Sequence, residues 1–309
     1  MDIRTRKEIV SIGMPVYNGA RFLRRALDSL LAQEYQNFEL LISDNASTDE
    51  TSRLCKAYAS KDKRIQYFRN ERNVGALENF NRVFKLSSGE YFMWAAANDA
   101  WDTVYITRCK EILESDPEIV LCYTRTVLID EGGNALRVTP DRFDTTTITD
   151  PVVRFSQTMW KVGWANILHG LIRSEAMRHT RLLIPTISAS DYIFLAELSI
   201  QGTFAQIPVP LFYRYEDSPT ERRLKKRLIN MSTNKEIFMP HWRLMFHSWM
   251  VVKNAPFSPM EKAGEMADIT YCVIKRFGFI EDFLRLVHLL AFARRIKKMG
   301  NSLRKKISR

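Results

Sequence analysis

Short apolar runs alternate with amphipathic helical patterns through the first half of the chain, and this alternation most limits the possible fold. The apolar runs that predict strands lie at residues 9–14, 38–42, 65–68, 91–95 and 119–123. Between them, apolar side chains recur at helical spacing, as Leu23, Leu27 and Leu30 do. Strands separated by helices of about ten residues or more form right-handed βαβ units. The sequence therefore predicts an α/β fold with a mostly parallel sheet.

Polar residues follow four of these strands at the point where each one ends. They are Tyr17-Asn18, Asp44-Asn45, Asn73 and Asn98-Asp99. The carboxyl ends of parallel strands share one edge of the sheet, and ligands bind beyond that edge. The sequence therefore predicts a single ligand crevice with four contributing loops. In the second loop, Ser47 and Glu50 have the spacing of a capping box, which predicts a helix start there.

Glycine-rich phosphate-binding loops are missing from the sequence. It contains neither GxGxxG nor GxxxxGK[ST], so a dinucleotide-binding or P-loop fold lacks its usual support. The phosphates of a nucleotide ligand would then be neutralised by another group. A divalent cation held by Asp99 would serve this purpose, because carboxylate oxygens are preferred ligands of Mg²⁺.

Composition excludes several other classes of protein. With 46% hydrophobic and 26% charged residues the chain is globular rather than disordered. Its four cysteines fit neither a zinc site nor a disulfide framework. The first residues show no apolar signal region, and no apolar run reaches the roughly 18 residues of a spanning helix. We therefore expect a cytoplasmic location.

The second half of the chain is less regular. We expect loops with short elements over residues 124–163, a strand over 165–172, a helix from Ser174, a helix that opens at Asp191, and one or two edge strands over 203–215. Helices are expected to dominate from about residue 228. This pattern predicts two regions, a ligand-binding and catalytic domain at 1–220 and a helical C-terminal region at 221–309.

Positive charge is concentrated at the C-terminus. The whole chain has a net charge of +11, and residues 275–309 hold eleven bases and two acids. Apolar residues also recur at helical spacing from Phe277, so residues 277–309 are typical of a basic amphipathic helix on an anionic membrane surface. The alternative is a helix packed on the core and followed by a solvated basic end. No aromatic stacking platform accompanies the bases, so we expect no nucleic-acid partner.

Three segments resemble family 2 glycosyltransferases with the GT-A fold, of the bacterial surface-polysaccharide type. They are VSIGMPVYNGARFLRRALDSLLAQ, FELLISDNASTDET and RNVGALENFNRVFKLSSGEYFMWAAANDAW, in this order. The resemblance implies a GT-A (Rossmann-like) mixed, mostly parallel sheet flanked by helices. It also implies an inverting, metal-dependent transfer of a sugar from a nucleotide diphosphate sugar, UDP or dTDP favoured, to a hydroxyl of a glycan or lipid-linked glycan at the inner face of the membrane.

The resemblance also implies roles for particular residues on the donor side. Those matched to nucleotide-sugar binding are Pro15, Val16, Tyr17, Asp44, Asn73 and Asn98. Asp99 matches the last acid of the DxD-type motif, which binds Mg²⁺ or Mn²⁺. Relatives usually carry two or three acids here, whereas Ala97 and Asn98 are neutral, so a metal-independent variant stays open. Asp44 and Asn73 also suit ordinary turns.

On the acceptor side, Asp191 matches the catalytic base of the family. Inverting transfer needs a carboxylate that takes the proton of the attacking hydroxyl. An aspartate after a serine, before a helix, is equally typical of an N-cap. Trp164 and His169 fall in the acceptor-facing region, and core packing is the alternative for both.

Two other functions remain possible. The depleted acidic motif would suit a subunit that binds a nucleotide sugar without turnover. A nucleotidyltransferase would share the fold, but it usually has a glycine-rich basic loop after the first strand, where this chain has residues 15–19, Pro-Val-Tyr-Asn-Gly.

Overall fold

The computed structural model describes residues 6–140, 142–163, 165–187, 189–218 and 240–277. The chain divides into two units, Met1–Glu236 and Ile237–Arg309. Within the described residues, no helix combines the length and the apolar character needed to cross a membrane.

Parallel strands and helices alternate in the first half of the first unit, as predicted. The elements are β1 (Arg6–Val16), α1 (Ala20–Leu31), β2 (Phe38–Asp44), α2 (Thr51–Ala59), β3 (Ile65–Arg69), α3 (Ala76–Lys85) and β4 (Gly89–Trp94). Strand β1 pairs in parallel with both β2 and β4, and β2 pairs in parallel with β3. The carboxyl ends of these strands therefore meet at one edge of the sheet.

The second half of this unit completes a mixed sheet. Its elements are β5 (Ala100–Trp101), α4 (Tyr105–Ser115), β6 (Ile119–Ile129), β7 (Ala135–Val138), α5 (Pro151–Lys161), a 3₁₀ helix (Ala165–His169), β8 (Leu171–Arg173), α6 (Ser174–Arg178), α7 (Ser190–Gln201) and β9 (Thr203–Tyr215). The strand order is β3-β2-β1-β4-β8-β6-β9-β5, with β7 on β6. Strand β8 is antiparallel to β4 and β6, and β9 is parallel to β6. The predicted fold class is confirmed.

The second unit contains helices α8 (Pro240–Asn254) and α9 (Pro259–Phe277) within its described part. The two helices pack against each other, and the indole N–H of Trp249 donates a hydrogen bond to the carbonyl oxygen of Met266 at 3.1 Å. The basic segment predicted to follow falls on residues 278–309, which lie outside the described residues.

The core lies where helices cover the sheet. Helix α1 buries Leu23, Ala26, Leu27 and Leu30 and leaves Arg21 and Arg24 exposed, as its periodicity predicts. On the other face, β1 approaches its neighbours so closely that only glycine fits at position 13. A Cβ atom there would lie 2.6 Å from Cζ of Phe92.

The structure refines three predictions in the second half. Residues 124–163 hold the rest of β6, strand β7 and helix α5 in addition to loops. The strand predicted over 165–172 is present only at its end, because residues 165–169 form the 3₁₀ helix and β8 begins at Leu171. Residues 203–215 form one long strand, and β5 pairs with it only at Phe212 and Tyr213, so the part that holds the two prolines is at the predicted edge. The helices predicted at Ser174 and Asp191 are present as α6 and α7.

A buried arginine fixes the C-terminal end of α7. The Arg154 guanidinium donates hydrogen bonds to the carbonyl oxygens of Ser199 at 2.8 Å and Ile148 at 3.0 Å. Carbonyls of a last helical turn lack partners within the helix and carry partial negative charge. Arg154 therefore joins α5 to the end of α7 that lies opposite Asp191.

Candidate active site

A cavity of about 510 Å³ opens at the carboxyl ends of β1 and β4. Its described wall comes from the loop after β1, the first turn of α1, the loop after β4, Phe80 of α3 and the residues around the end of β9. Pro15, Val16, Tyr17 and Asn98 are the predicted site residues that lie on this wall. The edge predicted from the strand ends therefore does contain a cavity.

Side chains from the loop after β2 hold the loop after β1 in place. The side-chain oxygen of Asn18 accepts a hydrogen bond from the Thr48 N–H at 2.8 Å, and the Asn18 N–H donates to Ser47 Oγ at 2.9 Å. Asn18 adopts a positive φ of 49°, which asparagine tolerates. The capping-box prediction is wrong, because Ser47 bonds to Asn18 and Glu50 caps α2 without a side-chain bond.

Asp44 is fully buried at the end of β2, outside the described wall of the cavity. Its carboxylate accepts hydrogen bonds from the Ser47 N–H at 2.8 Å, the Tyr67 hydroxyl at 2.7 Å and the Arg69 guanidinium at 2.6 Å. Burial alone would raise the pKa of Asp44, but these bonds and the Arg69 charge outweigh it and hold the pKa below its ordinary value. The carboxylate is therefore ionised and engaged within the protein.

Asn73 belongs to a chain of asparagines that shapes the loop after β3. Its side-chain oxygen accepts hydrogen bonds from Asn45 Nδ2 at 2.8 Å and the Gly75 N–H at 2.9 Å. Asn45 accepts in turn from Asn70, which also donates to the buried Asn79. Asn73 itself is exposed and lies outside the described wall of the cavity.

Asp99 lies directly behind the cavity wall and is only 2% exposed. Its Oδ1 accepts a hydrogen bond from the backbone N–H of Tyr215 at 3.0 Å. Burial raises the pKa of Asp99 to about 7, against the opposing effects of that N–H and of the charges of Arg214 and Arg25. Arg25 also donates to the carbonyl oxygen of Asn98 at 2.9 Å, which fixes the loop that carries the aspartate.

The side chains at the cavity could bind a divalent cation only if a ligand supplied further oxygen atoms. Within the described residues, no group of three His, Cys, Asp or Glu side chains could hold a metal ion. Asp99 and Asp217, which lies on the cavity wall, are the nearby carboxylates. Mg²⁺ is often held by one or two carboxylates and completed by substrate phosphates. Asp217 is on the described wall, whereas the carboxylate of Asp99 lies behind it.

Asp191 is the second residue of α7. Ala189 precedes the helix with φ 62° and makes no side-chain cap bond, so the N-cap alternative for Asp191 is wrong. Burial raises the pKa of Asp191 above its ordinary value, while nearby backbone N–H groups and the charge of Arg214 lower it. Asp191 is partly buried and is not on the described wall of the cavity.

Arg214 connects the two predicted carboxylates electrostatically. One of its guanidinium nitrogens donates to Oδ1 of the buried Asn166 in the 3₁₀ helix at 2.6 Å. Its charge acts on the pKa of Asp99 and of Asp191 alike. No local pattern in the sequence points to Arg214, because its position depends on the distant pairing of β9 with β6.

His169 is packed within the protein. Its Nδ1 lies 3.0 Å from the carbonyl oxygen of Trp94, and its ring packs against Phe212 at a centroid distance of 5.4 Å. Burial lowers the pKa of His169 to about 4, so the ring is neutral near pH 7. Trp164, the other residue predicted on the acceptor side, lies outside the described residues.

The cavity wall includes further residues that sequence reasoning missed. Arg21 and Phe22 belong to the first turn of α1, so their closeness to the end of β1 was a usable signal. Tyr215 and Asp217 come from the end of β9, which no local pattern places there. The rings of Phe22 and Tyr215 pack at a centroid distance of 4.4 Å and join these two parts of the wall.

Comparison with known proteins identifies the family. Residues 11–171, just over half of the chain, match the model described as glycosyl transferase family 2, and the chain belongs to this family. An uncharacterized glycosyltransferase of Rickettsia typhi is 34% identical over 189 residues, which cover 60% of this chain and 53% of that protein. The match therefore spans about half the length of that relative.

Two solved structures share the fold at low sequence identity. Staphylococcus aureus TarS 1–349 in complex with UDP-GlcNAc gives a TM-score of 0.64 at 15% identity, over 85% of this chain and 72% of that one. The mannosyltransferase PcManGT from Pyrobaculum calidifontis, in complex with GDP-Man and Mn²⁺, gives 0.56 at 16% identity, over 95% and 79%. The chain thus has the GT-A fold.

The Asp44 cluster predicts a pH-dependent stability difference. Replacement of Asp44 by Asn should lower the free energy of unfolding near pH 7 by about 2 kcal/mol, because charge-assisted bonds to Tyr67 and Arg69 are weakened. Since the pKa of Asp44 in the folded protein lies below the ordinary 3.8, this stability is present above that value and is lost as pH falls through the folded pKa.

Urea unfolding of both proteins, near neutral pH and near pH 3, measures this difference. The exposed Glu71→Gln is the control and should change stability by less than about 0.5 kcal/mol at either pH. A constant difference between D44N and the unmodified chain across this range would contradict the assignment.

Proposed function

We propose that this chain transfers a sugar from a nucleotide diphosphate sugar, with UDP or dTDP as the favoured nucleotide, to a hydroxyl of a glycan or lipid-linked glycan with inversion at the anomeric carbon. The observation that carries the proposal is the cavity at the ends of β1 and β4 in a chain of this family. TarS and PcManGT, which share the fold, bind UDP-GlcNAc and GDP-Man.

The cavity suits a nucleotide in size and chemistry. Ligand pockets usually measure about 300–1,000 Å³ and combine apolar walls with a few polar groups. Here Pro15, Val16 and the half-exposed Tyr17 offer apolar and aromatic surface to a base, and Asn98 offers an amide to the ribose or phosphates. In this proposal Asp44 and Asn73 contribute from behind the wall by fixing the loops after β2 and β3.

Asp191 is the proposed general base. Its carboxylate takes the proton of the acceptor hydroxyl as that oxygen forms a bond to the anomeric carbon, while the bond from this carbon to the diphosphate oxygen breaks. Burial of Asp191 makes it a stronger base than an exposed aspartate, and the Arg214 charge limits this effect. The leaving nucleoside diphosphate gains negative charge, so cationic groups near Asp99 favour its departure.

Mg²⁺ or Mn²⁺ is the proposed cofactor on the donor side. Asp99 would hold the ion and Asp217 could supply a second carboxylate, with the remaining ligands from the diphosphate. When bound, such an ion neutralises charge on the leaving group.

A panel of nucleotide sugars, with and without Mn²⁺, tests the donor and the metal together. We expect release of nucleoside diphosphate from a UDP- or dTDP-sugar in the presence of acceptor, at a rate that Mn²⁺ raises by roughly tenfold or more. Asp99→Ala should remove that stimulation. Full activity in the presence of a chelator would refute the proposed metal dependence. The absence of turnover with every donor would refute the transferase proposal.

Asp191→Asn separates catalysis from binding. Turnover should fall by about 10²-fold or more, since the variant cannot accept the proton, while donor affinity measured by calorimetry stays unchanged. The thermal midpoint near pH 7 should be equal or higher, because the amide avoids the cost of ionising a partly buried carboxyl. The exposed Asp116→Asn is the control.

These variants also test a subunit that binds a nucleotide sugar without turnover. The neutral Ala97 and Asn98 on the cavity wall favour that alternative, since they supply no acid beside Asp99. Donor binding by the unmodified chain without turnover, and with no effect of D191N, would support it over the transferase.

We also propose that residues 277–309 hold the protein at the anionic inner face of the membrane, where a lipid-linked acceptor would be available. The support is their sequence alone, since bases near an anionic surface contribute roughly 1 kcal/mol each. Deletion of these residues should reduce cosedimentation with phosphatidylglycerol vesicles and leave donor hydrolysis largely intact. Equal partitioning of both proteins would contradict the proposal.

A further inference from the structure

The cavity wall carries one ion pair that the proposed reaction does not use. Arg21, in the first turn of α1, lines the cavity, and both ends of its guanidinium fork contact the carboxylate of Glu131. Its Nε donates to Glu131 Oε1 at 2.6 Å, and a terminal nitrogen contacts the second oxygen. Glu131 belongs to the turn between β6 and β7, far from Arg21 in sequence.

A second arginine sets the position of this turn. Arg25, one helical turn after Arg21, donates to the carbonyl oxygen of Glu131 at 3.0 Å and to that of Asn98 at 2.9 Å. The turn is thus tied to the same loop that carries Asp99. The Glu131 carboxylate is solvent-exposed and lies beside the cavity through its contact with Arg21.

Arg21 is suited to bind a phosphate because of its positive charge on the cavity wall. Among the described wall residues, Arg21 carries the positive charge and Asp217 the negative one. A diphosphate brings at least two further negative charges into this space. The guanidinium fork matches a phosphate as well as it matches a carboxylate, with two parallel hydrogen bonds in either case.

The ion pair is also easily exchanged. The Arg21 and Glu131 side chains are 48% and 60% exposed, and pairs with such exposure contribute little to stability. An anion with more charge than a carboxylate, held by other contacts in the same cavity, can therefore replace Glu131 on Arg21 at small cost.

We propose that Arg21 binds the diphosphate of the nucleotide sugar, and that Glu131 occupies the Arg21 guanidinium until the diphosphate displaces it. This inference rests on the proposed function, because it takes the cavity as the donor site. It makes Glu131 a competitor that weakens donor binding, so the two residues have opposite effects on affinity.

Calorimetric titration of the full chain with UDP, dTDP and GDP in the presence of Mn²⁺ tests this. For the nucleotide that binds, Arg21→Gln should weaken affinity by about tenfold or more, as expected for loss of a charged hydrogen bond, and Arg21→Lys should recover part of it. Glu131→Gln should strengthen affinity by about two- to fivefold. In the R21Q/E131Q double variant the Glu131 substitution should have no further effect.

Arg24→Gln is the matched control, an exposed arginine on the same helix that does not line the cavity. It removes the same charge and should change affinity by less than about twofold. Thermal midpoints should stay close to that of the unmodified chain in every variant, because these side chains are exposed.

The outcomes separate the two proposals. If the unmodified chain binds none of the three nucleotides, the donor class is refuted and this inference with it. If it binds one and R21Q leaves the affinity unchanged, or E131Q weakens it, the inference is refuted and the proposed function stands.

Discussion

Two sets of contacts join the loop after β4 to the end of β9. Strand β5 pairs with β9 at Phe212 and Tyr213, and the buried carboxylate of Asp99 accepts a hydrogen bond from the backbone N–H of Tyr215, 116 residues later in the chain. The contact of Tyr215 with Phe22 closes the cavity on that side. This placement brings Asp217 to the cavity wall and lets the charge of Arg214 act on both predicted carboxylates. Burial of Asp99 at this junction raises its pKa, although the bond from Tyr215 itself lowers it.

Local patterns were sufficient for the first half of the fold and insufficient for the second. Strands β1 to β4 are short apolar runs separated by helices whose apolar periodicity is clear, so each element and its parallel pairing follow from the adjacent sequence. Strand β9 is different, because its parallel partner β6 lies about eighty residues earlier. Pro208 and Pro210 indicate an edge, and both lie outside the short pairing of β9 with β5, where the register against β6 shifts.

In the candidate site too, the sequence predicts the course of the backbone better than the orientation of the side chains. The strand-end rule predicts a ligand crevice at Tyr17, Asn18 and Asn98, and the cavity lies there, because the rule concerns the path of the backbone. It could not tell which polar side chains turn toward a ligand, and Asp44 and Asn73 instead bond to neighbouring loops. Their hydrogen bonds depend on partners brought close only by folding.

Arg154 has a consequence for how such an enzyme could change its acceptor. By binding the last carbonyls of α7 from α5, it prevents that helix from sliding along its axis, so the opposite end is a fixed reference point. In the proposed function that end carries Asp191. Loops around the helix start could then diverge in sequence and length to admit new glycans without displacing the proton acceptor, so that specificity can evolve separately from chemistry.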